Sequence, residues 1–291
     1  MYDLIRVGFA GLAVDLALKD DHAGRLARFV FGRFAAAPAG VACLRLELAG
    51  NGPEHFTLWR EGSLVFEATC AADAARLVLA EVIHAFASQC TTIPLLHAAA
   101  IGNSAASVLL PGASGAGKST LCAAMDAAGH ACLSDELVGV AGGRAVLAFP
   151  RPICLKPDAR QVLPGITDSA AVSGRLLQSA DAVVLSPQTP LPVPLPRLCA
   201  IVFASFTPGA PPALHANTRG ETAARLMGSV ANARQLSDHG FAAIAALARL
   251  VPGYTLVHGS AGDGAQTIGA IIRTAGQPGA WPRTINPPAG R

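Results

Sequence analysis

The chain is poor in charge and poorer still in lysine. Charged side chains make up 14% of the 291 residues, and only Lys19, Lys118 and Lys156 stand among its 22 Lys and Arg residues. With hydrophobic residues at 52%, this composition excludes a disordered or acidic-tail protein. No basic block occurs and the net charge is only +3, so no nucleic-acid footprint is visible. Aromatic residues are 5%, and no interleaving of Arg with aromatics marks a base-stacking platform. Seven cysteines, an odd number without a C-x-x-C pair, indicate neither a disulfide framework nor a zinc ribbon and imply buried free thiols. Mean hydropathy is +0.43, much of it alanine, yet no apolar run reaches the roughly 18 residues of a spanning helix. No membrane partner is therefore expected. Asp3, Arg6, Asp15 and Lys19 interrupt what a secretory signal would need as its apolar core, so the chain reads as cytoplasmic.

At about 150 residues per domain, such a length makes two units or one large one. Residues 1–90 read as a small α+β unit. Alternating runs at 43–49, 55–60 and 63–68, separated by Asn51-Gly52 and Glu61-Gly62, predict an antiparallel meander, and the apolar spacing of 71–89 predicts a helix. Residues 91–272 read as one α/β unit, with 273–291 a flexible tail. In it, two apolar β-type segments flank Gly102-Asn103, a hairpin turn expected to need φ > 0 at Gly102. A helix from about Ser119 to Ala128 stops at Gly129, and a strand over 131–134 ends at Asp135-Glu136. Beyond a strand near 144–149 and a Pro-rich stretch of loops and short helices to 197, the pattern predicts a core strand at 198–206. Helices at 221–235 and 238–250 and a last strand at 254–259 follow.

The chemistry concentrates in Gly112-Ala113-Ser114-Gly115-Ala116-Gly117-Lys118-Ser119, which matches G-x-x-x-x-G-K-[ST] at every fixed position, with Thr120 following. Glycines there let successive backbone N–H groups turn inward on phosphate oxygens, and the following helix adds its positive end. Lys118 would hold β/γ-phosphates and the Ser119 hydroxyl would ligate Mg²⁺. The motif lies between a predicted strand and a predicted helix and uses one of three lysines, so nucleotide binding is the firmest reading. Asp135 and Glu136 follow seventeen residues after Lys118. A strand returning beside the phosphate-loop strand would deliver one of these carboxylates to Mg²⁺ and the γ-phosphate. His97 lies on the first hairpin strand. Arg151 and Lys156 follow a strand and could reach phosphate oxygens or an acidic acceptor, or be solvated loop charges. Arg219, Arg225 and Arg234 read as surface or interface charges, and Asp238, His239 and His258 receive no role.

Taken together, Leu96-His97, the hairpin, the G-x-S-G-x-G-K-S loop, the short helix, Gly129-His130 and Ser134-Asp135-Glu136 resemble the catalytic core of HPr kinase/phosphorylase over about 45 residues. Weaker similarity to HPr kinase-related proteins, some of which phosphorylate a Ser in a precursor peptide, continues through FASFTPGAP and GFAAIAALARLVPGYTLVHG to about residue 270. The resemblance implies a P-loop-containing mixed sheet flanked by helices, with a smaller N-terminal α+β domain, and a homo-oligomer; a substrate- or partner-binding role for the N-terminal domain, such as presenting the acceptor, is a separate expectation. It implies ATP and Mg²⁺ as cofactors and three catalytic residues. Asp135 would be the base that accepts the proton of the attacking hydroxyl, His97 would lie beside the γ-phosphate or the acceptor, and Lys118 would hold the phosphates. Glu136 would be a Mg²⁺ or positioning carboxylate where the family has Asp. Thr120 stands where the bifunctional enzymes carry an acidic residue, and their later E-[IV]-R-G-type segment is missing. Kinase chemistry is thus implied more than the phosphorylase reaction or HPr as substrate.

The expected function is transfer of the γ-phosphoryl group to a Ser or Thr hydroxyl of a small protein or peptide. A small-metabolite kinase and a non-kinase ATP-binding regulatory or accessory protein are the alternatives. A transporter ATPase is disfavoured because no L-S-G-G-Q segment follows.

Overall fold

A computed structural model describes residues 3–34, 40–113 and 115–275. The first strands, β1 (Asp3–Phe9) and β2 (Leu12–Leu18), make a tight hairpin with Ala10 and Gly11 at positive φ. Asp20 starts α1 (Asp21–Phe31). One carboxylate oxygen accepts from His22 N and Ala23 N, satisfying first-turn donors, while the other accepts from Gly50 N at 2.6 Å. Because α1 intervenes, β3 (Val41–Gly50) returns parallel to β2. The meander is then completed by β4 (Phe56–Arg60) and β5 (Ser63–Ala68), and α2 (Ala71–Gln89) buries a face that includes Ala75, Val78, Leu79, Val82 and Phe86.

The next hairpin joins β6 (Leu95–Gly102) to β7 (Ser107–Pro111). Its turn differs from the sequence expectation. Gly102 does not adopt positive φ; Asn103 shapes the turn, its Oδ1 accepting from Ala105 N and Ala106 N. Glycine is needed at 102 because a Cβ would lie 2.7 Å from Ala106 O. The chain continues through α3 (Lys118–Ala127), β8 (Ala131–Ser134), β9 (Leu137–Val140), β10 (Val146–Leu147) and β11 (Ile153–Leu155). Two short helices, α4 (Ala159–Val162) and α5 (Pro164–Val172), precede β12 (Leu176–Gln178) and β13 (Val183–Leu185). The apolar β14 (Leu198–Phe206) is followed by β15 (Ala213–Ala216), α6 (Arg219–Met227), α7 (Phe241–Leu250), β16 (Gly253–His258) and α8 (Ala261–Ala275). The helix expected over 221–235 ends at Met227, because residues 229–231 run along β6 instead, with Ala231 N donating to Leu95 O and His97 N to Ser229 O, both at 2.7 Å.

This α/β chain divides into two units. One comprises residues up to Cys90 together with Phe149–Ser186; the other begins at Thr91, pauses at Ala148 and resumes at Pro187. The single second unit expected over 91–272 is therefore interrupted. The cause is that β11, β13 and β12 form their own antiparallel sheet against α2, and Ser179 Oγ donates to Asp73 Oδ1 at 2.9 Å. In this first unit β1-β2-β3-β4-β5 form one sheet, whose core includes Leu16, Leu46, Leu48 and Leu58. Phe9, Phe86 and Phe149 meet edge to face, at ring separations of 5.3–5.9 Å.

The second unit is built on an eight-stranded sheet ordered β10-β9-β6-β7-β14-β16-β15, with β8 also pairing β6. Strands β7, β14 and β16 are mutually parallel, so their carboxyl ends share one rim, the place where α/β sheets take ligands. Of the tail expected over 273–291, residues 273–275 finish α8, and the remainder lies outside the described residues. No helix among the described residues is long and apolar enough to cross a membrane.

Candidate functional site

Between the end of β7 and the start of α3, the chain turns through three glycines at positive φ: Gly112 (+152°), Gly115 (+89°) and Gly117 (+86°). Side chains are strained in this region, which explains the spacing of the glycines. Gly117 is the N-cap of α3 and supplies no capping side chain, so the first-turn N–H groups are left for another acceptor. Ala113 is exposed, whereas Ala116, Ser119 and Thr120 are half-buried; Ser114 lies outside the described residues.

Lys118 begins α3 and is only 6% exposed. Its ammonium donates to Gly112 O at 2.7 Å and Ala113 O at 3.0 Å and lies 3.4 Å from His97 Nε2. Burial pulls its pKa below the ordinary lysine value, against the Asp135 charge, which pushes it back up. His97 is held in place by its strand, since its N–H is bound to Ser229 O and it pairs with Leu137 on β9.

Asp135 and Glu136 sit in the break between β8 and β9. These two strands both run antiparallel to β6, so β8 is one strand removed from β7 and not beside it as the sequence reading expected. Two successive antiparallel pairings restore the direction of β7, and the carboxyl end of β8 still reaches the same rim. Ala98 N donates to Glu136 O at 3.1 Å, and Ser134 Oγ to Leu137 O, which closes the turn. Asp135 is 4% exposed, while Glu136 is half-buried. Beneath Asp135, one turn along α3 from Lys118, lies Cys122. Its thiol is pushed well above the ordinary value, first by hydrogen bonding with Cys132, then by burial and by the Asp135 charge. The structure thus brings Lys118, His97 and Asp135 together from a helix start, a strand and a turn.

Among the described residues no group of three or more His, Cys, Asp or Glu side chains is arranged to hold a metal. Mg²⁺ asks less, because it keeps waters and substrate phosphates and takes one or two protein oxygens. Ser119, in the first turn of α3, and Asp135, a buried carboxylate whose charge is felt by Lys118, fit so sparse a donor set.

The other basic candidates are Arg151 and Lys156. Arg151 belongs to the first unit and is 2% exposed, donating to Pro152 O and Cys154 Sγ; it is neither a solvated charge nor one facing outward. Lys156, in the same unit, is exposed. Two residues that the sequence reading passed over border the loop. His258 ends β16 and is 2% exposed, with Nδ1 donating to Ser260 O at 3.0 Å. A Cβ at Gly117 would stand 3.6 Å from its Nε2, and its ring lies 5.6 Å from that of the half-exposed Phe206 at the end of β14. The signal for both was positional: each closes a parallel strand on the rim to which β7 delivers the loop. All seven cysteines are free thiols; Cys90, Cys122, Cys132 and Cys199 are buried and Cys43, Cys70 and Cys154 half-buried.

The chain matches no protein-family model, and a search of curated proteins finds no match.

Proposed function

We propose that this protein is an ATP- and Mg²⁺-dependent kinase that transfers the γ-phosphoryl group to a Ser or Thr hydroxyl of a small protein or peptide, in the manner of the HPr kinase-like proteins its central motifs resemble. The observation that carries the reading is the meeting of Lys118, His97 and a buried Asp135 beside a glycine-rich loop at the start of α3. Phosphoryl transfer asks a protein mainly for position and neutralised charge, and this arrangement supplies both.

In this reading the loop N–H groups and Lys118 hold phosphate oxygens, exchanging the lysine's bonds to Gly112 O and Ala113 O for bonds to the anion. Asp135 orients the acceptor hydroxyl and takes its proton late in transfer. His97, 3.4 Å from the Lys118 ammonium, lines the side on which the transferred group would sit. Mg²⁺ would be held by Ser119 and Asp135, with Glu136 alongside, and when bound it neutralises phosphate charge. The fold finer than α/β is read as a P-loop core, supported by a parallel strand leading through three positive-φ glycines into a helix.

The test is transfer of label from γ-labelled ATP, with Mg²⁺, to a peptide or protein pool, comparing wild type with Asp135→Asn and Lys118→Ala. Labelling of Ser or Thr that falls on the order of a hundredfold or more in both variants is the expected result. Tight ATP binding with no acceptor labelled would replace the kinase by a nucleotide-gated binding protein.

A further inference from the structure

We infer that the second unit carries, at the amino ends of β14 and β16, a binding site for a small molecule with two or more negative charges. A cavity of about 370 Å³ opens there, lined among others by Arg144, Arg219, Arg249, Asn217, Thr222 and Tyr254. That volume falls within the usual range of small-ligand sites. Three of the lining residues are arginines and none is acidic. The site is independent of the kinase reading. Gly253, at the start of β16, lines the cavity, whereas His258, at the other end, borders the glycine-rich loop. A six-residue strand separates them by roughly 17 Å at about 3.3 Å per residue.

The neighbouring charges are already committed, and two of the cavity's three arginines are not. Glu221, the nearest acid in sequence on α6, closes a capping box, accepting from Thr218 N at 2.7 Å and from Thr218 Oγ1 at 2.9 Å. Arg225 lies 3.9 Å over the Phe203 ring and donates to Thr255 Oγ1 at 2.6 Å. By contrast, Arg219 and Arg249 make no ion pair and no side-chain hydrogen bond among the described residues. Asn217 lines the cavity too, with its amide nitrogen buried. Its Oδ1 accepts from Thr255 Oγ1 at 2.9 Å, and because that hydroxyl already accepts from Arg225, its hydrogen is assigned to Asn217. The amide nitrogen therefore faces away from Thr255, and it has no hydrogen-bond partner among the described residues.

Like charges around one concavity repel unless an anion lies between them. The planar forks of arginine match phosphate and carboxylate oxygens two at a time. The shared chemistry is thus a compact polyanion, either a phosphate ester or a polycarboxylate.

Calorimetric titration of the full chain with inorganic pyrophosphate, and separately with citrate, tests this. The comparison is between wild type, Lys118→Met, the pair Arg219→Gln with Arg249→Gln, and the same pair changed to Lys. Pyrophosphate can also enter the glycine-rich loop, so the Lys118→Met protein isolates the arginine site. We expect at least one of the two anions to bind Lys118→Met as tightly as wild type at this site and to bind the double Gln variant at least tenfold more weakly, with the Lys pair in between. Pyrophosphate binding alone names a phosphate site and citrate binding alone a carboxylate site. Both arginines are exposed, so melting temperatures should not move. Absence of any anion binding that survives Lys118→Met, or affinity unchanged in the double Gln variant, overturns the inference.

Discussion

Asp126 stands where helix electrostatics alone would not put it. It lies in the last turn of α3, at the negative end of the helix dipole, and is 2% exposed. A carboxylate there is opposed by about 0.3–1 kcal/mol from the dipole and by its own desolvation. The compensation is visible: Oδ2 accepts from Gln188 N at 2.8 Å and Oδ1 from Thr189 N at 2.9 Å, while Asp126 O accepts from Thr189 Oγ1. Bonds to a charged acceptor contribute about 1.5–3 kcal/mol each, so two are worth roughly 3–6 kcal/mol before the opposing terms are subtracted. Asp126→Ala should therefore destabilise the second unit by about 2–4 kcal/mol. At about 2–4 °C per kcal/mol for a unit of this size, its melting transition should fall by roughly 5–15 °C. Asp126→Asn keeps one acceptor oxygen but turns an amide N–H toward the other backbone N–H, so it should also lose stability. Calorimetric melting of the three proteins checks this, and the sign is diagnostic. If Asp126→Ala melts at or above the wild-type temperature, the dipole and desolvation terms dominate and the bonding argument is wrong.

Three further perturbations are expected to behave as follows. Gly259→Ala places a Cβ 2.8 Å from Ala210 N and closer still to Ala210 O, so rigid backbone must move; a loss of about 2–3 kcal/mol in chemical denaturation is expected, and a neutral result would refute the overpacking argument. Arg6 grips Asp15 at 2.6 and 2.8 Å and, chiefly through that hydrogen bond, holds its carboxyl below the usual aspartate value. The pair's small contribution is present above the unfolded aspartate pKa and lost as pH falls through the folded one. Arg6→Gln should raise the Asp15 titration midpoint seen by NMR and flatten that part of the stability profile. Burial pushes the Cys199 thiol up to about 11, and Cys90, Cys122 and Cys132 are buried with it. A thiol reagent at pH 8 should label at most Cys43, Cys70 and Cys154 in the native protein and all seven after unfolding; rapid native labelling of a fourth would show that the core opens.

Much of the fold was legible because local patterns and tertiary contacts agree in it. Alternation gave β3 to β5, apolar spacing gave α2 over the same residues, and a nine-residue run broken only by Ser205 gave β14. What escaped was set by partners far along the chain. Nothing local tells that β11 to β13 will pack on α2, which makes one unit discontinuous. The stretch after Met227 looks helical, but Asn232, fully buried, accepts from Leu95 N and donates to Ile93 O, so residues 229–232 serve as a neighbour to β6. Gly102 was legible as a turn glycine and misread in its reason, because close approach of Ala106 O leaves no trace in a dipeptide.

The candidate site was legible to the extent that its residues break local rules. Three glycines in six positions weaken any regular element, and a lysine that starts a helix while nearly buried carries a desolvation cost that its bonds to two carbonyls only partly offset. Such conflicts between local preference and environment are expected where function, and not stability, selects the residue. His258 and Phe206 break no rule that a sequence exposes: a histidine and a phenylalanine closing apolar strands read as ordinary core. Only strand order, with β14 and β16 parallel to β7, carries them to the glycine-rich loop. The arginines of the cavity illustrate the same limit from the other side. Arg144, Arg219 and Arg249 are scattered over more than a hundred residues and resemble surface charges one at a time, and their common sign acquires meaning only where the fold gathers them around one space.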